Sequence, residues 1–173
     1  MLKRVLTAAA LMACLAPASI ADTEDESSIT TLGWLEHVRV TEVDLKLDAK
    51  LDTGAKTSSI HAEIIDAPAR KDFVSDEEQT IVFRLVNEKG HEREMRAPIA
   101  RWAAIKTKKG GVLYRPVVDM TFCLGGVSVS GEVTLANRGH FNYETLIGRN
   151  MLKKAKIIVD PGRIYTNKAR CDV

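Results

Sequence analysis

Apolar and polar residues alternate with a period of two along much of this chain, which is the pattern of β-strands with one buried face. The clearest case is Leu45–Leu51, where apolar residues at every second position are separated by charged ones. Residues 80–86 alternate in the same way, and residues 34–40 and 57–65 have the composition of strands. The chain is therefore predicted to be mainly β.

Turn residues between such stretches predict two hairpins. Gly125 and Gly126 separate the apolar alternation of residues 118–124 from that of residues 127–135, and glycine takes the positive φ of a tight turn at little cost. Residues 87–90 supply a second turn, after which an extended pattern resumes.

Helical patterns are scarce. One short helix is predicted at residues 149–155, followed by a strand at 156–160 and a turn at Pro161 and Gly162. Residues 66–79 contain a proline and many charges, so they are predicted to form a surface excursion.

The N-terminus has the anatomy of a secretory signal. Lys3 and Arg4 precede an apolar run at residues 5–15, and small residues follow at 18–21. This apolar run is shorter than the roughly 20 residues of a membrane-spanning helix. We therefore predict a signal peptide over residues 1–21, export to the periplasm or beyond after cleavage, and no stable membrane span.

A lipoprotein is the alternative for the same segment. Residues 11–14 approximate a lipobox that ends in Cys14, although Met12 and Leu15 are unusual residues at their positions. Anchoring through Cys14 is accordingly the less favoured prediction.

Composition then limits the mature protein. Removing residues 1–21 from the 173 leaves 152 residues, which is enough for one domain with a single core. Residues 22–32 are polar at their start and lack periodicity, so they are predicted to be a flexible lead-in to a domain at 33–173. Without Lys3 and Arg4, the 25 basic residues become 23 and balance the 23 acidic ones. A near-neutral chain gives no reason to expect nucleic-acid binding.

Two cysteines, Cys123 and Cys171, follow the predicted cleavage site. An oxidising compartment would allow them to form a disulfide, whereas spacing alone does not decide between this bond and two free thiols.

The chemical signal lies at the end of the clearest strand, in Asp52-Thr53-Gly54-Ala55. A lone Asp-Thr-Gly is most often an ordinary turn, because Asp bonds local backbone and Gly supplies flexibility. Together with Leu146-Ile147-Gly148-Arg149-Asn150, about a hundred residues later, it resembles the catalytic turn of aspartic proteases and the segment that supports it. Those enzymes activate a water between two carboxylates, one ionised and one protonated.

A wider resemblance covers most of the predicted domain. Residues 52–62, 115–118 and 159–161 resemble the bacterial retropepsin-like family once labelled ATP-dependent zinc proteases, and residues 115–135 with 146–152 look like the second half of a retropepsin subunit. The resemblance implies a retropepsin-like closed β-barrel, or acid-protease fold, and aspartic endopeptidase activity on a peptide or protein substrate.

The resemblance also implies roles for individual residues. Asp52 would be catalytic and, because the chain contains one such turn, would act with its twin in a homodimer. Residues predicted to support the turn are Thr53, Gly54, Ala55, Leu146, Ile147, Gly148 and Arg149. The position of a substrate-covering flap falls on residues 106–114, with its tip at Lys108, Lys109, Gly110 and Gly111.

One position departs from the retroviral pattern. Lys56 stands where an acidic residue commonly pairs with the later arginine, so Arg149 is expected to bond Asp48, Asp160 or backbone carbonyls instead.

Other chemistries have less support. His91-Glu92 lacks the second histidine of a zinc-protease helix, and no Gly-rich loop ends in Gly-Lys-Ser or Gly-Lys-Thr. No metal or other cofactor is therefore predicted. A noncatalytic periplasmic module that binds an extended peptide on the same fold is the alternative function.

Overall fold

The computed structural model of the chain describes residues 29–70, 79–107 and 110–171. The predicted signal segment at 1–21 with Cys14, and Lys108 and Lys109 of the predicted flap, lie outside the described residues. Among those described, no helix is long and apolar enough to cross a membrane.

Over the described residues, the protein is mainly β with one short helix near the C-terminus, which confirms that part of the sequence prediction. The strands are β1 (Thr30–Val40), β2 (Leu45–Leu51), β3 (Ser58–His61), β4 (Glu63–Asp66), β5 (Thr80–Val86), β6 (Glu92–Pro98), β7 (Arg101–Lys106), β8 (Val112–Leu124), β9 (Val127–Ala136), β10 (Thr145–Ile147) and β11 (Ile157–Ile164). A 3-10 turn spans Thr41–Val43, and the helix α1 spans Arg149–Lys154.

Eight strands form one sheet in the order β11-β1-β2-β10-β3-β9-β8-β7. β1 also pairs with β8, at Arg39 with Cys123 and Val40 with Phe122. This pairing closes six strands into a ring in the order β1, β2, β10, β3, β9 and β8. β11 joins this ring through β1, and β7 joins it through β8. A separate three-stranded sheet has the order β4-β5-β6.

The period of two places the apolar side of β2 inside the ring. Its alternate apolar residues, Leu45 to Leu51, are buried, whereas Lys46, Asp48 and Lys50 lie on the opposite face. The predicted hairpin of β8 and β9 turns at Gly125 and Gly126, whose φ angles are +62° and +83°. Strand faces therefore follow directly from the alternation.

Two predicted boundaries are wrong, and both errors arise where the chain changes partners. Residues 57–65 form two strands, because His61 ends β3 in the large sheet while Glu63 pairs with Arg84 of the small one. The predicted turn at Pro161 and Gly162 lies within β11, where the pairing with β1 shifts register.

Two ends also move. β1 begins at Thr30, inside the predicted lead-in, because Thr30 pairs with Ile157 and Leu32 is buried against the core. The helix ends at Lys154, and Ala155 forms its C-terminal cap.

A disulfide and several hydrogen bonds attach the C-terminal segment to the ring. Cys123 of β8 and Cys171 form a disulfide. Glu36 of β1 is fully buried, and both of its carboxylate oxygens accept hydrogen bonds from Thr166 and Asn167. The segment after β11 is thereby attached to both β1 and β8.

Candidate active site

Asp52 directly follows β2, and the turn that it begins surrounds its carboxylate. Oδ1 accepts hydrogen bonds from the backbone N–H groups of Gly54 (2.9 Å) and Ala55 (3.2 Å). A Cβ on Gly54 would lie 3.2 Å from Oδ1, so glycine allows the turn to close around the carboxylate. Among the described residues, the hydrogen-bonding partner of Oδ2 is Lys50 Nζ at 3.2 Å. Backbone N–H groups thus hold Oδ1, whereas Oδ2 is bonded to the Lys50 side chain.

β10 and the start of α1 lie directly behind this turn. Leu146 and Ile147 pair in parallel with the last two residues of β2. The Asp52 N–H donates to the Ile147 carbonyl (2.9 Å), and the Arg149 N–H donates to the Ala55 carbonyl (2.9 Å). The fold therefore brings together the two segments that the sequence comparison had linked across about a hundred residues.

Gly148 sits where only glycine fits. A Cβ there would lie 2.6 Å from both the carbonyl carbon and oxygen of Thr57. The Gly148 N–H donates to Ser58 Oγ (3.0 Å), Ser58 Oγ donates to Asn150 Oδ1 (2.8 Å), and Asn150 Nδ2 donates to the Glu132 carbonyl (2.9 Å). This chain of bonds joins β3, α1 and β9 next to the Asp52 turn.

The side chain of Arg149 contacts the Asp52 turn as well. Its Nη1 donates to the Thr53 carbonyl at 3.1 Å, so among the three partners left open by the sequence the structure selects a backbone carbonyl. Thr53 itself is exposed at the tip of the turn. Its predicted role in supporting the turn stays a prediction.

The surroundings of Asp52 favour its ionised form. Burial by itself raises the pKa of the Asp52 carboxyl. The hydrogen bond and positive charge of Lys50, with the amides of Gly54 and Ala55, outweigh burial and lower the pKa below its usual value. In this chain Asp52 is therefore favoured in its ionised form, which is the form that can accept a proton.

A second cation lies within electrostatic reach. Burial lowers the pKa of the Arg138 guanidinium, repulsion from Arg115 lowers it further, and attraction to Asp52 opposes both effects. Arg138 Nη1 donates to Ser59 Oγ at 3.0 Å, and its guanidinium lies 4.5 Å from the ring centroid of Phe141. The site around the Asp52 carboxylate is consequently basic.

The hairpin of β7 and β8 occupies the predicted flap position. Lys106 pairs with Val112, the Thr107 N–H donates to the Gly111 carbonyl (2.8 Å), and Gly110 has a φ of +85°. Large apolar residues near its tip are exposed, namely Ile105, Val112, Leu113 and Tyr114. An exposed apolar hairpin is able to contact a substrate, and its role as a flap stays a prediction.

Sequence reasoning missed three contributors to this site: Lys50, Ser58 and Asn150. The alternation of β2 placed Lys50 on the same face as Asp52, which was the available signal. Ser58 and Asn150 lie within the segments that carry the family resemblance, but the resemblance implied no role for them, because their contact depends on how β3 meets α1. Within the described residues, no group of three or more His, Cys, Asp or Glu side chains could bind a metal ion.

Comparison with known proteins agrees with this geometry. A family model described as the retropepsin-like aspartic endopeptidase RimB matches residues 31–170. A crystal structure of Lpg0085 from Legionella pneumophila, a protein of unknown function, is similar with a TM-score of 0.65 and 28% identity, covering 82% of this chain and 100% of the other.

Curated relatives carry another name. A probable alpha-L-glutamate ligase of Shewanella halifaxensis is 30% identical over 130 residues, which cover 73% of this chain and 27% of the relative. A protein of the same name from Parasynechococcus marenigrum is 31% identical over 118 residues, covering 66% and 24%. The chain thus spans about a quarter of the length of these relatives.

Proposed function

The chain belongs to the retropepsin-like aspartic endopeptidase RimB family, and from this premise we propose that it hydrolyses peptide bonds with Asp52 and the Asp52 of a second copy. The observation that supports this most directly is the carboxylate itself. Two amides of its own turn fix Oδ1, and Oδ2 is free of backbone donors among the described residues. Under this proposal the ring of strands is the closed barrel of the acid-protease fold.

The proposed chemistry needs both carboxylates of a symmetric dimer. The ionised one takes a proton from a water whose oxygen attacks the peptide carbonyl carbon. The protonated one donates toward the carbonyl oxygen, and collapse of the tetrahedral intermediate breaks the C–N bond as the amine nitrogen gains a proton. One water is consumed, and the products are a new carboxyl group and a new amino group.

Asp52→Asn tests this function. General acid–base groups contribute roughly 10²- to 10⁴-fold, so the variant should lose at least this factor in kcat/KM on a peptide library. Asp119→Asn removes an exposed carboxylate of β8 and is the matched control. Full activity of the Asp52 variant, or no cleavage by purified wild-type dimer from acidic to neutral pH, contradicts the proposal.

We propose that the substrate carries acidic side chains near the cleaved bond. Arg138 places positive charge within electrostatic reach of Asp52, Arg115 lies within reach of Arg138, and the glutamate in the relatives' name agrees with that preference. Paired peptides that differ by Glu or Gln beside the cleaved bond test this, and equal kcat/KM values would count against it.

Export is also part of the proposal. It is supported by Lys3, Arg4 and the apolar run at 5–15, and by the Cys123–Cys171 disulfide, which persists in oxidising compartments. Mass spectrometry of the periplasmic fraction should find an N-terminus at Asp22, whereas an acylated Cys14 would indicate the lipoprotein.

A peptide-binding module is the second candidate. β7 ends the order of the large sheet, so an extended peptide could add to its edge. Such a binder should keep its affinity after Asp52→Asn and should show no cleavage in the wild type.

A further inference from the structure

We infer that Lys50 is a positioning residue for the reaction. Its positive charge sets the pH range over which the Asp52 pair holds one proton, and thereby the pH range in which peptides are cleaved. This inference rests on the proposed function, because it assumes that two Asp52 carboxylates share one proton. Lys50 would act through Asp52 rather than on the substrate.

The geometry of β2 supports the inference. Lys50 is the last residue of β2 on the face opposite the core, and Asp52 directly follows the strand. Lys50 Nζ lies 3.2 Å from Asp52 Oδ2, which is the oxygen that the amides of Gly54 and Ala55 leave open. The cation therefore contacts the oxygen that must also meet water and the second carboxylate.

Other charges around Asp52 are arranged differently. Arg149 of α1 donates to the Thr53 carbonyl, and Arg138 donates to Ser59 Oγ. Arg115 of β8 acts on Arg138. Among the described residues, Lys50 is the cation that hydrogen-bonds the Asp52 carboxylate, so its removal should affect that carboxylate most.

The sign of the effect follows from the charge. Cleavage requires the pair with one proton, and thus occurs between the two apparent pKa values of the pair. A nearby positive charge favours each deprotonation and lowers both pKa values. Removing the charge of Lys50 should raise both, and should shift the bell-shaped profile of kcat/KM toward higher pH.

Three variants separate charge from packing. Lys50→Met removes the charge and keeps much of the side-chain volume, Lys50→Arg keeps the charge, and Lys56→Met removes the same charge from an exposed position in the adjoining turn. We expect Lys50→Met to shift both limbs upward by about one pH unit, at the low end of the roughly 1–3 units that a close opposite charge produces. Lys50→Arg and Lys56→Met should keep the wild-type profile.

Three outcomes overturn the inference while leaving Asp52-dependent cleavage in place: an unchanged profile in Lys50→Met, an equal shift in Lys56→Met, or a rise in KM without a pH shift. The last result would assign Lys50 to substrate binding. If the wild type shows no Asp52-dependent cleavage, the proposed function fails instead. An NMR titration of the Asp52 carboxyl carbon then decides the effect of Lys50 alone, and an Asp52 pKa that does not rise in Lys50→Met refutes it.

Discussion

Two carboxylates of the large sheet, Glu36 of β1 and Asp52 after the neighbouring β2, differ in burial and in their hydrogen-bond donors. Glu36 stabilises the fold, and Asp52 is the candidate for catalysis. Glu36 is fully buried. Its Oε1 accepts from the Gly33 N–H (2.8 Å) and from the N–H (2.9 Å) and hydroxyl of Thr166, and its Oε2 accepts from the N–H (3.2 Å) and side-chain amide (2.7 Å) of Asn167. Asp52 is partly exposed and has backbone donors on one oxygen.

The two carboxylates differ in how many hydrogen bonds their oxygens already accept. A carboxylate that is buried with donors on both oxygens has no capacity left for a reactant, and its bonds serve the fold. In Asp52 two backbone N–H groups fix Oδ1, whereas Oδ2 has the partly exposed Lys50 side chain as its donor and keeps the capacity to accept from water as well. The number of donors on each oxygen therefore distinguishes the structural acid from the candidate catalytic one.

The largest effect on stability is expected from Glu36→Ala. Five donor groups would lose their buried acceptor, so unfolding in urea should show a loss of about 3 to 5 kcal/mol. Asp52→Ala should cost about 1 kcal/mol, since it removes the acceptor of a partly exposed turn. Equal losses for the two variants would contradict the comparison.

Removing the disulfide should have the next largest effect. Cys123 and Cys171 are 48 residues apart, and replacing both with alanine should destabilise the protein by about 2 to 4 kcal/mol. Glu36 and this bond hold the same tail, so the combined variant should lose less than the sum of the separate losses. Strict additivity in urea unfolding would show that the two contacts act independently.

Gly148→Ala tests the support of the Asp52 turn. Its Cβ would overlap the Thr57 carbonyl at 2.6 Å, and overpacking of this kind costs roughly 1 to 3 kcal/mol. Gly139→Ala is the control, because its Cβ would be 3.4 Å from the nearest atom, Asn137 Oδ1. We expect cleavage to fall in Gly148→Ala and stay unchanged in Gly139→Ala; the reverse order would remove Gly148 from the site.

The surroundings of Glu36 and Asp52 also show which features the sequence predicts and which it does not. β2 was predicted with its observed bounds, and the turn at Gly125 and Gly126 was predicted correctly, because alternation and positive φ are local properties. Glu36 escaped notice because its partners lie 130 and 131 residues away and carry no motif. The hydrogen bond between Lys50 and Asp52 was not predicted either. Alternation predicts that two side chains share a face, but it does not predict the distance between their charged atoms.

The smallest effect concerns the pH dependence of stability at Asp52. Its pKa in the folded protein is lowered, because Lys50 and the amides of Gly54 and Ala55 outweigh the opposing effect of burial. A lowered pKa stabilises the fold at pH values above the pKa of the unfolded chain, and this contribution is lost as the pH falls through the folded pKa.

Comparing urea unfolding of wild type and Asp52→Asn at pH 7 and near pH 2 should therefore show a wild-type advantage that shrinks in acid. The advantage should stay below about 1 kcal/mol, because the Lys50 pair is partly exposed. An advantage that grew in acid would mean that the carboxylate is stabilised in its protonated form, and Asp52 would then resemble a buried acid rather than the poised base that the open Oδ2 implies.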